Sequence, residues 1–254
     1  MKTSITKNRP KSIKVFSVMF WILVWEVVAL IIDRELYLPS PFTTFNALFN
    51  MIQVKEFWEI VLITILRVLI GFIISCVIGT VLGIICGINT YMYELFNPLI
   101  VTVKSTPVMS FIIITLLWFK SGNVPIFICF LMCLPIIWTA VVEGIKQVDK
   151  KILEMAYLFR VKKRYIIKDI YIPSIMPYLT TAMITSVGLG WKVTVAAEVL
   201  SRPKLSIGTK LKDSKVYLES PQLFAWTIVV IILSLMFEYV FKYIIRLFHK
   251  SWND

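Results

Sequence analysis

Seven ionisable side chains lie within or beside long apolar runs: Glu26, Arg67, Lys104, Glu143, Lys192, Glu198 and Glu238. Insertion scales put the cost of a charge at the centre of a membrane helix at roughly 3 kcal/mol, so each must meet a partner, a watery cavity or the interface. Glu26, Arg67 and Glu238 are expected to snorkel or to pair. Lys104, Lys192 and Glu198 instead stand among polar or helix-breaking neighbours, in Lys104-Ser105-Thr106-Pro107, Gly188-Leu189-Gly190-Trp191-Lys192 and Ala196-Ala197-Glu198. Such neighbours are expected along a solute path, with Lys104, Ser105, Thr106, Pro107, Trp191, Lys192 and Glu198 as its candidate residues.

Other chemistries find little support. The single histidine, His249, argues against a His-rich zinc, haem or di-iron site. There is no Gly-Lys-Ser/Thr step to cradle a nucleotide, no Gly-x-Ser-x-Gly elbow and no His-Glu-x-x-His pair. Cys76, Cys86, Cys129 and Cys133 all sit inside apolar runs, where free cysteine packs as a small hydrophobe.

The elements that position these residues follow from composition. Of 254 residues 58% are hydrophobic and 17% charged, against about 45–50% and about 25% in soluble domains. The chain therefore reads as an all-α membrane protein. Apolar runs of spanning length fall at about 15–32, 60–88, 95–119, 124–142, 176–200 and 223–247, giving six transmembrane helices in one domain over 15–254. A basic tail at 1–14 precedes them, and a loop at 144–175 carries eight basic residues against three acids. Both are expected on the cytoplasmic side, as are both termini of a multi-pass plasma-membrane protein. The loop at 201–222, with Arg202, Lys204, Lys210, Lys212 and Lys215, falls outside by parity and dissents from that charge rule. Gly79, Gly83 and Gly87 form overlapping Gly-x-x-x-Gly steps, a device for close helix packing, more simply within the chain than between copies. Pro107 and Pro135 are expected to kink the third and fourth spans.

The 144–175 loop should hold two short helices, one capped by Asp149 and one after Val161 with Tyr165, Ile166 and Ile170 on one face. Joined directly to two spans, it could act as a lever. Here the chain resembles the membrane subunit of type I ABC importers. Glu154-Met155-Ala156 and Ile172-Pro173 match that family's cytoplasmic signature, with Met155 at its first alanine and Arg160 at its usual glycine. Leu38-Pro39-Ser40-Pro41, Thr64-x-x-Arg67 with Gly71, Pro98, Trp118-Phe119, and Trp191 with Ala196-Ala197-Glu198 ahead of Gly208 narrow the resemblance to the nitrate/sulfonate/taurine branch.

The resemblance implies a coupling helix between helices 4 and 5 and a separate ATPase in two copies. It also implies an extracellular solute-binding protein and a second permease copy, a homodimer, in membrane lipid with no nucleic acid. This chain would bind no cofactor and catalyse nothing, ATP and Mg residing in the partner. Glu154 would accept hydrogen bonds from the ATPase and Ala156 would allow its close approach. Tyr157, Leu158 and Phe159 would fill its groove, with Met155, Arg160, Val161 and Tyr165 completing the contact. The cargo would be a small solute: a sulfonate, nitrate, taurine, a thiamine precursor or a riboflavin-like compound. The alternative is an ion-coupled secondary transporter or channel subunit using Lys192 and Glu198 as a responsive pair. A membrane enzyme would need a nucleophile with its base, or a metal cluster, and neither pattern is present.

Overall fold

The computed structural model describes the backbone of residues 11–253 and the side chains of 16–245. Residues 1–10 of the expected basic tail at 1–14 and the side chains of Lys11, Lys14, Arg246, His249 and Lys250 lie outside them. The described chain is helical and forms two compact units, residues 11–58 with 210–229 and residues 59–209 with 230–253.

The first unit contains α1 (Lys11–Ile32), α2 (Pro41–Ile52), the start of α3 (Lys55–Ile88) and parts of two later helices. Ser40 caps α2 by accepting from Thr43 N–H at 3.1 Å, and Pro41 follows at the first turn, where no N–H is needed. The connection before it is held by Trp25, whose indole donates to the Pro39 carbonyl at 3.0 Å and stacks on Phe224. Phe57 stacks on Trp226.

The second unit is built around α6 (Val124–Lys146), which buries residues along its whole length. On one side α3 approaches through glycines. A Cβ on Gly79 would stand 3.0 Å from Ile137, on Gly83 2.7 Å from Val141, and on Gly87 2.5 Å from Ile145. Lipid tails give helices no hydrophobic reason to associate, so this close backbone approach supplies the dispersion contact that holds the pair. On α6's other side runs α9 (Ile172–Ser201), and Gly190 leaves room for both Cys129 Sγ and Cys133 Sγ. The cysteines are thus packing groups.

Four described helices are long and apolar enough to cross a membrane: Lys55–Ile88, Val124–Lys146, Lys163–Ser201 and Ser220–Ile245. They correspond to expected spans two, four, five and six. The third is corrected. Instead of one kinked helix over 95–119, α4 (Thr90–Ser105) and α5 (Val108–Trp118) meet at 107°. Thr106 is extended (φ −85°, ψ 133°), as the residue before a proline prefers, and Pro107 has no N–H to continue the ladder. The first expected span is helical, and its described apolar stretch, Phe16–Ile32, is shorter than the other four.

The 144–175 segment is also more helical than expected. Asp149 caps α7 (Lys150–Leu158), accepting from Lys151 N–H at 2.9 Å. The second short helix is not separate: α8 (Lys163–Tyr165) passes through a π-turn, Ile166–Tyr171, straight into α9. The wider turn lets Ile172 N–H reach Ile167 O just before Pro173 removes the next donor. Two helices complete the chain, α10 (Ile207–Val216) and α11 (Ser220–Asn253).

Replacing Gly83 with Ala should cost about 1–3 kcal/mol through overpacking. The same change at Gly122, which has open space around its Cβ direction, should leave thermal unfolding in detergent within error. Equal melting shifts for both variants would contradict the seam.

Candidate functional site

Three sets of residues gather in the second unit. The first surrounds Glu198, which is fully buried. Its Oε1 accepts from Arg67 Nη1 at 2.7 Å and Thr64 Oγ1 at 3.0 Å, and its Oε2 accepts from Gly208 N–H at 3.1 Å. Arg67 Nη1 also donates to Leu205 O at 2.7 Å, while Thr64 Oγ1 accepts from Ile207 N–H at 3.2 Å. The carboxylate thereby sits at the N-terminus of α10, where free N–H groups and the helix dipole favour negative charge. Glycine is required at 208, because a Cβ there would strike Glu198 Cβ and stand 2.5 Å from Val199 N. Arg67 was expected to pair or snorkel, and it pairs. Glu198 was expected beside a path or paired with Lys192. Its carboxylate is instead bound by Thr64, Arg67 and Gly208, and Lys192 is exposed.

The second set lines a cavity of about 570 Å³ between α4, α6 and α9: Lys104, Ile136, Thr139, Ala140, Pro177, Tyr178, Thr181, Ala182 and Thr185. Lys104, in the last turn of α4, donates to Thr139 Oγ1 at 2.7 Å. The expected path residues divide. Ser105, Thr106 and Pro107 follow Lys104 at the break between α4 and α5 but do not line the cavity. Trp191 is fully buried, its indole donating to Val230 O at 3.1 Å and its ring against Phe237. Sequence reasoning passed over the threonines. A signal was there, because Pro135-x-x-x-Thr139 and Pro177-x-x-x-Thr181 repeat one step. In each the threonine hydroxyl bonds back to the proline carbonyl, at 2.6 and 2.9 Å.

The third set is α7 and the turn after it. Ile152, Met155, Ala156, Phe159, Val161, Tyr165, Ile166, Asp169 and Ile170 line an apolar groove of about 390 Å³. Met155, Tyr157, Leu158 and Phe159 are 54%, 60%, 80% and 72% exposed, a large apolar surface on a nine-residue helix, and Glu154 is exposed beside them. Ala156, expected to allow the ATPase's close approach, is buried in a core with Ile166, Tyr171 and Ile175. Its small size lets α7 lie close against its own chain. Arg160 takes the backbone that glycine usually supplies, with φ 51°. Val161 N–H reaches Ala156 O at 2.9 Å and Arg160 N–H reaches Tyr157 O at 3.0 Å, the paired bonds of a Schellman helix stop.

Comparison with known proteins adds to this geometry. The family described as "binding-protein-dependent transport system inner membrane component" matches residues 79–253. The nitrate import permease protein NrtB of Synechococcus elongatus is 27% identical over 192 residues, 71% of this chain and 68% of that protein. The taurine transport system permease protein TauC of Escherichia coli is 20% identical over 220 residues, 84% and 80% of the two chains. Among solved structures, a chain from inward-facing conformations of the MetNI methionine ABC transporter superposes with a TM-score of 0.60 at 14% identity. It covers 74% of this chain and 92% of that one, and shows a shared fold.

Arg67→Met should strand the Glu198 charge in the core and cost about 3–5 kcal/mol, with Glu198→Gln milder because it keeps a hydrogen-bonding end. Thermal unfolding in detergent measures both; a harmless Arg67→Met would sink the network. Arg160→Gly should relieve a left-handed strain of about 1 kcal/mol and hold or raise the melting temperature.

Proposed function

The chain belongs to the family of binding-protein-dependent transport system inner membrane components, and from that premise we propose how its parts divide the work of solute import. It is the non-catalytic, multi-pass membrane subunit of a type I ABC importer, and ATP hydrolysis belongs to a separate subunit. Within that frame, α7 is the coupling helix. The observation that carries this reading is its surface: large exposed apolar side chains beside exposed Glu154, on a helix whose inner face is anchored by Ala156 to the core under α9. A free cytoplasmic connector would gain nothing from such an exposed apolar group, whereas a docking helix needs it.

In the full reading, residues 15–254 act as one permease domain. It has six spans, counting the α4–α5 pair as one and α1 as another, with both termini and α7 cytoplasmic. A second, identical copy completes the path. Two ATPase subunits holding ATP and Mg grip α7 of each copy, with Glu154 accepting charge-assisted hydrogen bonds and Met155, Tyr157, Leu158 and Phe159 seated in an apolar groove. Closure of the ATPase pair moves α7, and with it α9, so the cavity opens outward to receive a small solute from an extracellular binding protein. Relatives named for nitrate and taurine support a small polar cargo. Lys104, Ser105, Thr106 and Pro107 border the path. Glu198 and Trp191 act behind it as positioning residues.

Glu154→Lys should reduce recovery of the ATPase with the tagged permease by about tenfold, the effect of losing one charged hydrogen bond of ~1.4 kcal/mol or more. Membrane insertion should be unaltered. Undiminished recovery, or gradient-driven uptake by vesicles containing this chain alone, would refute the coupling role.

A further inference from the structure

The face of α2 turned away from its own chain has no part in the import reading. α2 packs inward through Pro41 and Thr44, both buried, and its start is held by the Ser40 cap and by the bond from Trp25 to Pro39 O. At about 3.6 residues per turn, Phe42, Phe45, Phe49 and Ile52 fall in one stripe roughly 80° wide. All four are exposed, Phe42 by 79% and Phe49 by 65%. Asn46 and Asn50, also exposed, form a second stripe beside the first. The helix thus has three sides: one on protein, one aromatic and apolar, one polar and uncharged. From Leu36 to Val54 the chain carries no charge, whereas Asp33, Arg34 and Glu35 stand just before that stretch and Lys55 and Glu56 just after it. Tyr37 and Trp58 flank α2 and are both exposed, and the Trp58 indole donates to Ile52 O at 3.0 Å, tying the first turn of α3 to the last residue of α2. Glu56, two residues before Trp58, stands on the far side of that turn and pairs with Lys210 at 2.8 Å. Exposed tyrosine and tryptophan, with the charges set beyond them, mark a membrane–water boundary.

We infer that α2 lies in the plane of the bilayer surface, with Phe42, Phe45, Phe49 and Ile52 seated among phospholipid acyl chains just below the headgroups and with Asn46 and Asn50 turned to water. A helix standing along the bilayer normal would carry both asparagines into hydrocarbon, where their amides lose their hydrogen bonds to water; lying flat, all three sides of α2 meet a matching medium. Lipid is the occupant of the apolar stripe. A protein partner gains most from tryptophan, tyrosine or arginine anchors, and the stripe offers only phenylalanine rings and one alkyl side chain, which acyl chains accept without fixed geometry. Joined to α1 through Trp25 and to α3 through Trp58, α2 acts as a float that sets the depth of both helices at this boundary. The inference goes beyond the import reading and takes from it the leaflet alone, the outer one.

The full-length permease in phospholipid nanodiscs should be spin-labelled at Phe42→Cys, Asn46→Cys, Phe49→Cys or Asn50→Cys, one site per sample, with the unsubstituted chain as the blank for its native cysteines. Power-saturation EPR then compares access to oxygen, which concentrates in lipid, with access to a water-soluble nickel chelate. The oxygen-to-nickel ratio should be several-fold higher at 42 and 49 than at 46 and 50. Labels at 42 and 49 should share one depth, about 5–10 Å below the phosphates. A difference in depth of about 10 Å between them, the rise of two helical turns, makes α2 upright and overturns the proposal. Equal nickel access at all four sites puts α2 in water, and low access to both reagents at 42 and 49 means that protein covers the stripe; either result overturns it. Phe45→Cys replaces a phenylalanine variant that loses the parent's elution profile. No ATPase takes part, so failure here leaves the Glu154 result standing, and failure of coupling leaves this one standing.

Discussion

A carboxylate sealed away from water at the C-terminal end of α9 constrains the second unit more than any other group. Glu198 could not remain charged there alone, since burial of an unpaired ion costs several kcal/mol. Its partners come from three segments: Thr64 and Arg67 on α3, Gly208 at the start of α10, and Leu205 reached through Arg67. Displacing any one of these segments strands a polar group. A buried ion pair adds little net stability over an apolar replacement, so its value here is geometric. It fixes where α9 ends and where the loop after it must lie, and Arg202, left-handed at φ 50°, turns the chain out of α9 toward that bond.

The glycine seam imposes the complementary constraint. Where polar bonding pins one end of the helices, bare backbone at Gly79, Gly83 and Gly87 lets α3 lie against α6 along the rest. Gly71 extends the seam upward against Ile126 O and Cys129, close to the turn of α3 that carries Arg67. With α3 and α6 fixed so closely, the remaining freedom lies with helices that meet at prolines. The 107° break between α4 and α5 is the largest such bend. Lys104, one turn before it, ends its helix on a cation and bonds across to α6. The cavity therefore has one wall on α6 and another on α4, beside the bend where α4 meets α5.

Much of this was legible in the sequence, for physical reasons that differ by element. Long apolar runs identify α3, α6, α9 and α11 because burial in lipid demands length and little else. Asp149 as a cap was legible because capping is local. The third span was not read correctly, since Thr106-Pro107 shows that a helix is interrupted but not by what angle the halves part. Thr64, Arg67, Glu198 and Gly208 were each visible as marked positions, yet their convergence depends on pairing residues over 130 apart in sequence, which no periodicity reports. Ala156 was legible as a small residue suited to close approach, but a small residue serves on either face of a helix, and the fold sets it against Ile166, Tyr171 and Ile175. Arg160 is the opposite case. At the signature's glycine position it takes a positive φ, and the paired bonds of a Schellman stop close the helix there.

These constraints meet on one helix. From Lys163 to Ser201 the chain is helical without a break, interrupted only in register by the π-turn at Ile166–Tyr171. Its first turns share a core with α7 through Ala156, Ile166 and Tyr171, its middle supplies Thr181 and Thr185 to the cavity, and its end is tied by Glu198. A helix is stiff along its axis, so in the reading proposed here a push on α7 would arrive at the cavity as a tilt about the tethered end rather than as local unfolding. That tilt would move Thr181 and Thr185 relative to Lys104, which rides on a different helix beside a joint. In the reading proposed here, a motor working on α7 would thereby change the shape of the cavity between α4, α6 and α9.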